Sequence, residues 1–386
     1  MAQFAAALSQ HPLATQATGE LAGGVLEQLD GERPDLVACF VSPHHVGALE
    51  DIAAAVRGIL EPGVLLAMTA ASVIAGAREV EDAPAVAVFA AALPTSNLVP
   101  VALRAEPTPD GAVVTGWPDV EPTRGSVLIL LADPFSFPTD DFLRGLPARA
   151  PGVTAVGGLA SAASSAGGNR LVLDATILSS GAVGVLLDGG VGVHTLVSQG
   201  CRPIGQPFIV TRAEGSLVLE LGGRPAVSRL QELADEASAD DRELLRHGLH
   251  VGLVVDEHRA EFGPGDFLVR NLLGADPNSG ALVIGEQVRV GQTVQFHVRD
   301  AAAAAEDLDA LLVGEQAAAG LVFTCTGRGQ HLFGAPDHDA EAVRALLGPI
   351  PLAGAFCAGE IGPIGGRSHL HTFTASIALF ESGRRA

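Results

Sequence analysis

The chain has 386 residues, 48% of them hydrophobic and 17% charged, which is enough apolar material to bury a large core and form about two domains. A formal net charge of −21 excludes a nucleic-acid surface and disfavours an anionic membrane, because both require basic side chains to meet phosphate. All 23 basic residues are arginine and tyrosine is absent, which rules out a Schiff-base lysine, a Walker lysine and a tyrosine acid or nucleophile.

In chain order, residues 5–30 read as one helix interrupted at Pro12, within an N-terminal helical segment 1–32. A strand is expected at Asp35–Val41, a helix at His44–Leu60 and a buried strand at Val64–Met68. Ser72, Arg78 and Glu79 then fall in a turn that could line a cleft or begin a helix as a solvated ion pair. Further strands fit Ala85–Ala90, Val127–Ala132, Val153–Val156, Val183–Leu187, Val193–Val197, Phe208–Thr211 and Leu217–Leu221, with a helix from Thr139 to Leu146 capped by Thr139. Gly157 and Gly158 would let the backbone approach a ligand or another strand closely.

Short glycine links such as Asp188–Val191 favour antiparallel hairpins over a doubly wound sheet. The best candidate junction is Gly222–Pro225, followed by a helix near Ala226–Ala237 and a polar segment at Ser238–Glu243. Strands then fit Val251–Asp256, Phe267–Asn271, Ala281–Ile284 and Thr293–Val298, and a helix with Asp300 as N-cap turns Leu308, Leu311 and Leu312 inward. The Leu321–Thr326 strand, a helix around Asp339–Leu347 and a strand at Phe373–Phe380 complete the chain. The fold class is therefore mixed α/β (α+β), with two domains of largely antiparallel sheets packed with helices. Three segments echo one another, PGVLLAMTAAS (62–72), PGVTAVGGLAS (151–161) and PIPLAGAFCAG (349–359), each an apolar run between proline and small residues.

The windows 83–103 and 150–169 are uncharged, but prolines break the first and the second is rich in Gly and Ser, so neither suits a membrane span. The N-terminus lacks a basic n-region, so a cytoplasmic location is expected. Cys39, Cys201, Cys325 and Cys357 have no close spacing that would form a zinc ribbon or a disulfide framework.

Two segments, LVFTCTGRG (321–329) and PLAGAFCAGEIGPIGG (351–366), run from an apolar strand into a glycine-rich turn. Together with MTAASVIAGAREVE (68–81), VGGLAS (156–161), VSQGCRPIG (197–205) and HTFTASIALF (371–380), they resemble the FIST family, named for F-box and intracellular signal transduction. The resemblance implies an N-terminal FIST domain over 33–224, a C-terminal one over 225–380, and a bacterial sensory module for small ligands such as amino acids. Kinase, methyl-acceptor, cyclase and F-box segments are not evident, so signal output is expected to pass through a protein partner. No cofactor, nucleic acid or membrane is expected.

The two turns supply the candidate ligand contacts. Arg328, between Gly327 and Gly329, could offer its planar fork to a carboxylate, and Glu360, after Gly359, could balance an ammonium group. The alternative is that Arg328 and Glu360 pair with each other. Cys325 and Cys357 read as small buried hydrophobes, or as reactive thiols that lack a His–Asp partner at a motif spacing. His369 and His371 could share a metal with Glu360, or bond loop carbonyls at a strand end; no metal is expected, and His371 joins Ser72, Gly157 and Gly158 as a candidate lining residue. The expected function is a small-ligand sensor rather than an enzyme, with a protein-interaction scaffold and a thiol- or metal-dependent enzyme as alternatives.

Overall fold

A computed structural model describes residues 1–109, 111–259, 261–263, 265–276 and 278–382. The chain divides into two compact units, one formed by residues 1–197, 309–370 and 374–386 and the other by 198–308 and 371–373.

The first unit is built on three parallel strand pairs. Leu36–Val41 pairs with Val64–Thr69, Val127–Ala132 with Thr154–Leu159, and Ala319–Cys325 with Leu352–Cys357. Five of these six strands are buried throughout, and Thr154–Leu159 is buried except at Thr154, as expected of parallel strands covered on both faces. A helix lies between the strands of each pair: Leu49–Leu60, Thr139–Arg149 and His338–Leu347. Leu49, Ile52, Ala53, Val56 and Leu60 form the buried stripe of the first, at helical spacing. The three echoing sequence segments each contain the second strand of a pair, so the same pattern occupies the same place three times.

Each second strand is followed by a hairpin that leaves its own sheet. The hairpin Val73–Ala75/Arg78–Val80 joins Leu352–Cys357, Leu171–Leu173/Thr176–Leu178 joins Val64–Thr69, and Glu360–Ile364/Arg367–His371 joins Thr154–Leu159. The three sheets thus exchange hairpins in a cycle.

In the second unit, six antiparallel strands close on themselves, because Cys201–Glu214 pairs both with Thr293–Arg299 and with Leu217–Leu221. Val251, Leu253, Val294, Phe296 and Val298 form its core with Leu230 and Leu233 of the helix Ala226–Glu236.

Several elements differ from the sequence expectation. Residues 5–30 do not form one helix: Gln3–Ser9 is a strand paired antiparallel with Val86–Ala92, and the helix is Ala14–Gln28. An alanine-rich segment is a good helix former, but this one lies against an open strand edge whose ladder decides its conformation. His44–Leu60 divides into a 3-10 turn, Pro43–Ala48, and the helix Leu49–Leu60. Thr139 is the first helical residue rather than the cap, which is Pro138. The polar segment 238–243 opens the helix Ala239–Arg246, capped by the Ser238 hydroxyl, which accepts from the Asp241 N–H at 3.0 Å. Asp300 does cap its helix, accepting from the N–H groups of Ala302 and Ala303 at 3.0 and 3.2 Å.

Candidate functional site

The ends of the three second strands converge in the first unit. The Ser161 N–H donates to Thr69 O at 3.2 Å, its hydroxyl donates to Phe356 O at 2.5 Å, and the same hydroxyl accepts from the Ala71 N–H at 2.8 Å. Ser72 O accepts from the Phe356 N–H at 3.0 Å, and Gly359 O accepts from the Leu159 N–H at 2.8 Å.

Around this junction the structure assembles most of the sequence candidates. Cys325 and Cys357 are partners in the parallel ladder, and Gly158 is opposite Glu360. The two glycines are explained by close strand approach: a Cβ at Gly157 would lie 1.9 Å from Leu130 O, and one at Gly158 would lie 2.3 Å from Cys357 Sγ. The Gly327 N–H donates to Cys325 Sγ at 3.4 Å, and Gly329, at φ 66°, begins the short helix Gln330–Phe333. His371 is buried at the end of the strand Arg367–His371 and belongs to the second unit.

Arg328 and Glu360 are both fully buried. The fork of Arg328 is already engaged, its Nε and Nη2 donating to the two carboxylate oxygens of Asp339 at 2.8 Å each. The Thr324 hydroxyl also donates to Asp339 at 2.7 Å, and His338 Nδ1 contacts it at 3.0 Å. His338 stacks on Phe333 with ring centroids 3.4 Å apart, and the Arg328 guanidinium lies 5.2 Å from the Phe333 centroid. Although burial favours its neutral form, the Arg328 charge and these hydrogen bonds hold the Asp339 carboxyl well below the usual range.

Glu360 is held differently. Its Oε2 accepts from Thr374 N–H and Oγ1 at 3.1 and 2.9 Å. Burial pushes its carboxyl up to about 8 against the pull of those bonds, the Arg328 charge and the Cys325 thiol. The Arg328–Glu360 ion pair is not among the salt bridges of the described residues, yet the two charges lie close enough to interact. Arg328 Nη1 and Glu360 Oε1 have no geometrically satisfactory hydrogen-bond partner among the described residues.

Two participants were not apparent from sequence. Asp339 read only as the start of the helix around Asp339–Leu347, and the signal available was its position eleven residues beyond Arg328. Glu79 was expected in a turn lining a cleft or in a solvated ion pair at a helix start; it lies instead in the strand Arg78–Val80 with 4% exposure, its Oε1 accepting from the Ala340 N–H at 3.0 Å. Burial first, and then the nearby Asp339 charge, push its carboxyl up to about 8. Its neighbour Arg78, itself exposed, does form an ion pair, with the largely buried Asp337 at 3.1 Å. An open cleft of ≈ 170 Å³ lies beside this hairpin, lined by Gly76, Ala77, Val343, Arg344, Ile350 and Leu352 among others.

Among the described residues no helix is long and apolar enough to cross a membrane. The model of the FIST N domain matches residues 35–224, and that of the FIST C domain matches 226–363. An uncharacterized protein of Mycobacterium tuberculosis is 47% identical over 381 residues, covering 97% of this chain and 98% of that protein. An uncharacterized protein of Mycobacterium bovis is 46% identical over 377 residues, covering 96% of each. FIST domains are generally sensory domains of signal transduction rather than catalytic ones. The chain belongs to the FIST family and carries its N-terminal and C-terminal domains in series.

Proposed function

We propose that this protein is a sensor for a small zwitterionic or carboxylate ligand, such as an amino acid, bound where the strands Ala319–Cys325 and Leu352–Cys357 end. The observation that carries this reading is the pair of buried polar groups, the Arg328 guanidinium and the Glu360 carboxyl, whose Nη1 and Oε1 lack hydrogen-bond partners among the described residues. Buried polar atoms are almost always paired, and a carboxylate and an ammonium would satisfy one each. Because Asp339 holds the fork of Arg328, the ligand carboxylate would receive one guanidinium N–H rather than two. Ser72, Gly157, Gly158, Gly327, Gly329 and Gly359 shape the surrounding backbone, and Cys325 and Cys357 lie beside the two polar groups. In this reading the ligated state is passed to a protein partner.

The test is calorimetric titration of the reduced protein with amino acids and small carboxylates, repeated on Glu360→Gln and Arg328→Lys. Glu360→Gln keeps the shape and the Thr374 bonds, and should weaken binding of an amino acid by about tenfold or more, the loss of a charge-assisted bond. Unchanged affinity in both variants would place the ligand elsewhere.

A further inference from the structure

We infer that Cys325 and Cys357 form a dithiol oxidised by hydroperoxides to a disulfide, with Cys325 the attacking sulfur and Cys357 the resolving one. This goes beyond the ligand reading and does not depend on it.

The placement of the two residues carries the inference. They are the last residues of adjacent parallel strands and stand in register, so their side chains leave the same face of the sheet. Hydrogen-bonded strands lie about 4.8 Å apart, within the range of about 4.4–6.8 Å spanned by the Cα atoms of disulfides. Both strands stop at this point and pass into turns containing Gly327 and Gly359, where the backbone can adjust to draw the sulfurs together. The ladder partners of the other two thiols are not cysteines. Cys39 stands between Ala67 and Val88, and Cys201 is opposite Arg299.

The surroundings distinguish the two roles. Cys325 retains 7% exposure, its sulfur accepts the Gly327 N–H at 3.4 Å, and it lies within electrostatic reach of the Arg328 guanidinium. Cys357 is fully buried, donates to Ala355 O at 3.5 Å, and interacts with both Cys325 and Glu360. In the first step the Cys325 thiolate attacks the outer peroxide oxygen; the S–O bond forms, the O–O bond breaks, and the departing alkoxide or hydroxide takes a proton from solvent to leave as alcohol or water. Cys357 then attacks the sulfenic sulfur, the S–S bond forms and the S–O bond breaks. The Glu360 carboxyl gives its proton to the departing hydroxide, which leaves as water, and takes up the Cys357 proton. The sulfurs lose two electrons and the peroxide gains two, and an external thiol would return the pair to the reduced state.

The test treats the full-length reduced protein with hydrogen peroxide, and uses peptide mapping to follow disulfides and trapping with dimedone to follow sulfenic acid. The expected result is a Cys325–Cys357 disulfide, formed about tenfold or more faster than any oxidation of Cys39 or Cys201. Cys357→Ser should accumulate trapped sulfenic acid at Cys325, whereas Cys325→Ser should leave Cys357 reduced. The inference fails if peptide mapping of the unmodified protein finds no such disulfide, or finds all four cysteines oxidised at similar rates. That wild-type measurement decides the matter even if a serine variant does not fold, and ligand titration of the reduced protein tests the sensory reading separately.

Discussion

At Arg328 the sequence correctly indicates a guanidinium at the end of a buried strand, but its partner emerges only from the structure. The group is fully buried and chelated by Asp339, so removing it leaves an uncompensated carboxylate in the core. Arg328→Ala should therefore cost about 3–5 kcal/mol in urea unfolding, with Arg328→Lys costing less because the charge remains. Glu79 and Glu360 make a second prediction at this scale. Both have folded-state carboxyls raised from 4.5 to about 8, so the folded protein holds protons that the unfolded chain has released. Their contribution is fully present below about pH 4.5 and is lost as the pH rises towards 8. Stability curves of Glu79→Gln and Glu360→Gln should each fall less than the wild type across that window.

Among the elements, the strand Leu249–Val254 shows how one ladder serves two environments. Val251 and Leu253 enter the core of the second unit, while His250 lies opposite His297 in the next strand. His297 donates from Nδ1 to Gln295 O at 3.1 Å, and a Cβ at Gly252 would meet its ring at 2.3 Å, so that glycine makes room for the imidazole. Burial lowers both imidazoles from 6.5 to about 4, with Arg299 adding to the effect at His250 and Asn271 opposing it there. Here the unfolded chain binds protons first, so stability should fall as the pH drops from 6.5 to 4, and His250→Asn with His297→Gln should flatten that limb of the thermal-unfolding profile. Strand content of this kind was largely legible, because runs such as LVACFV and VLILLA are apolar throughout. The strand Gln3–Ser9 was not legible, since its conformation depends on the edge of Val86–Ala92 more than on its own residues.

For the molecule as a whole, the exchange of hairpins ties distant parts of the first unit into one structure. Val73–Ala75 completes the sheet of Leu352–Cys357, and Glu360–Ile364 completes that of Thr154–Leu159. No one sheet can open without removing a neighbour's edge, so native-state hydrogen exchange should give Leu36–Val41, Val127–Ala132 and Ala319–Cys325 similar opening free energies. A stable sheet 127–132 persisting after 319–325 has opened would contradict this cyclic dependence. The compact units also cut across sequence order, with residues 198–308 forming one and the stretches on either side contributing to the other.

By itself the sequence determined the mixed α/β class, the family, the strand ends that carry Cys325, Arg328, Cys357 and Glu360, and the threefold echo of an apolar strand before small residues. These are local properties, written in hydrophobic runs and glycine turns. Tertiary structure alone decided that the echoing strands exchange hairpins, that Asp339 rather than Glu360 takes the fork of Arg328, and that Glu79 is buried beside them. Pairing across hundreds of residues depends on which buried charges meet after the sheets close, and no local pattern of residues encodes that meeting.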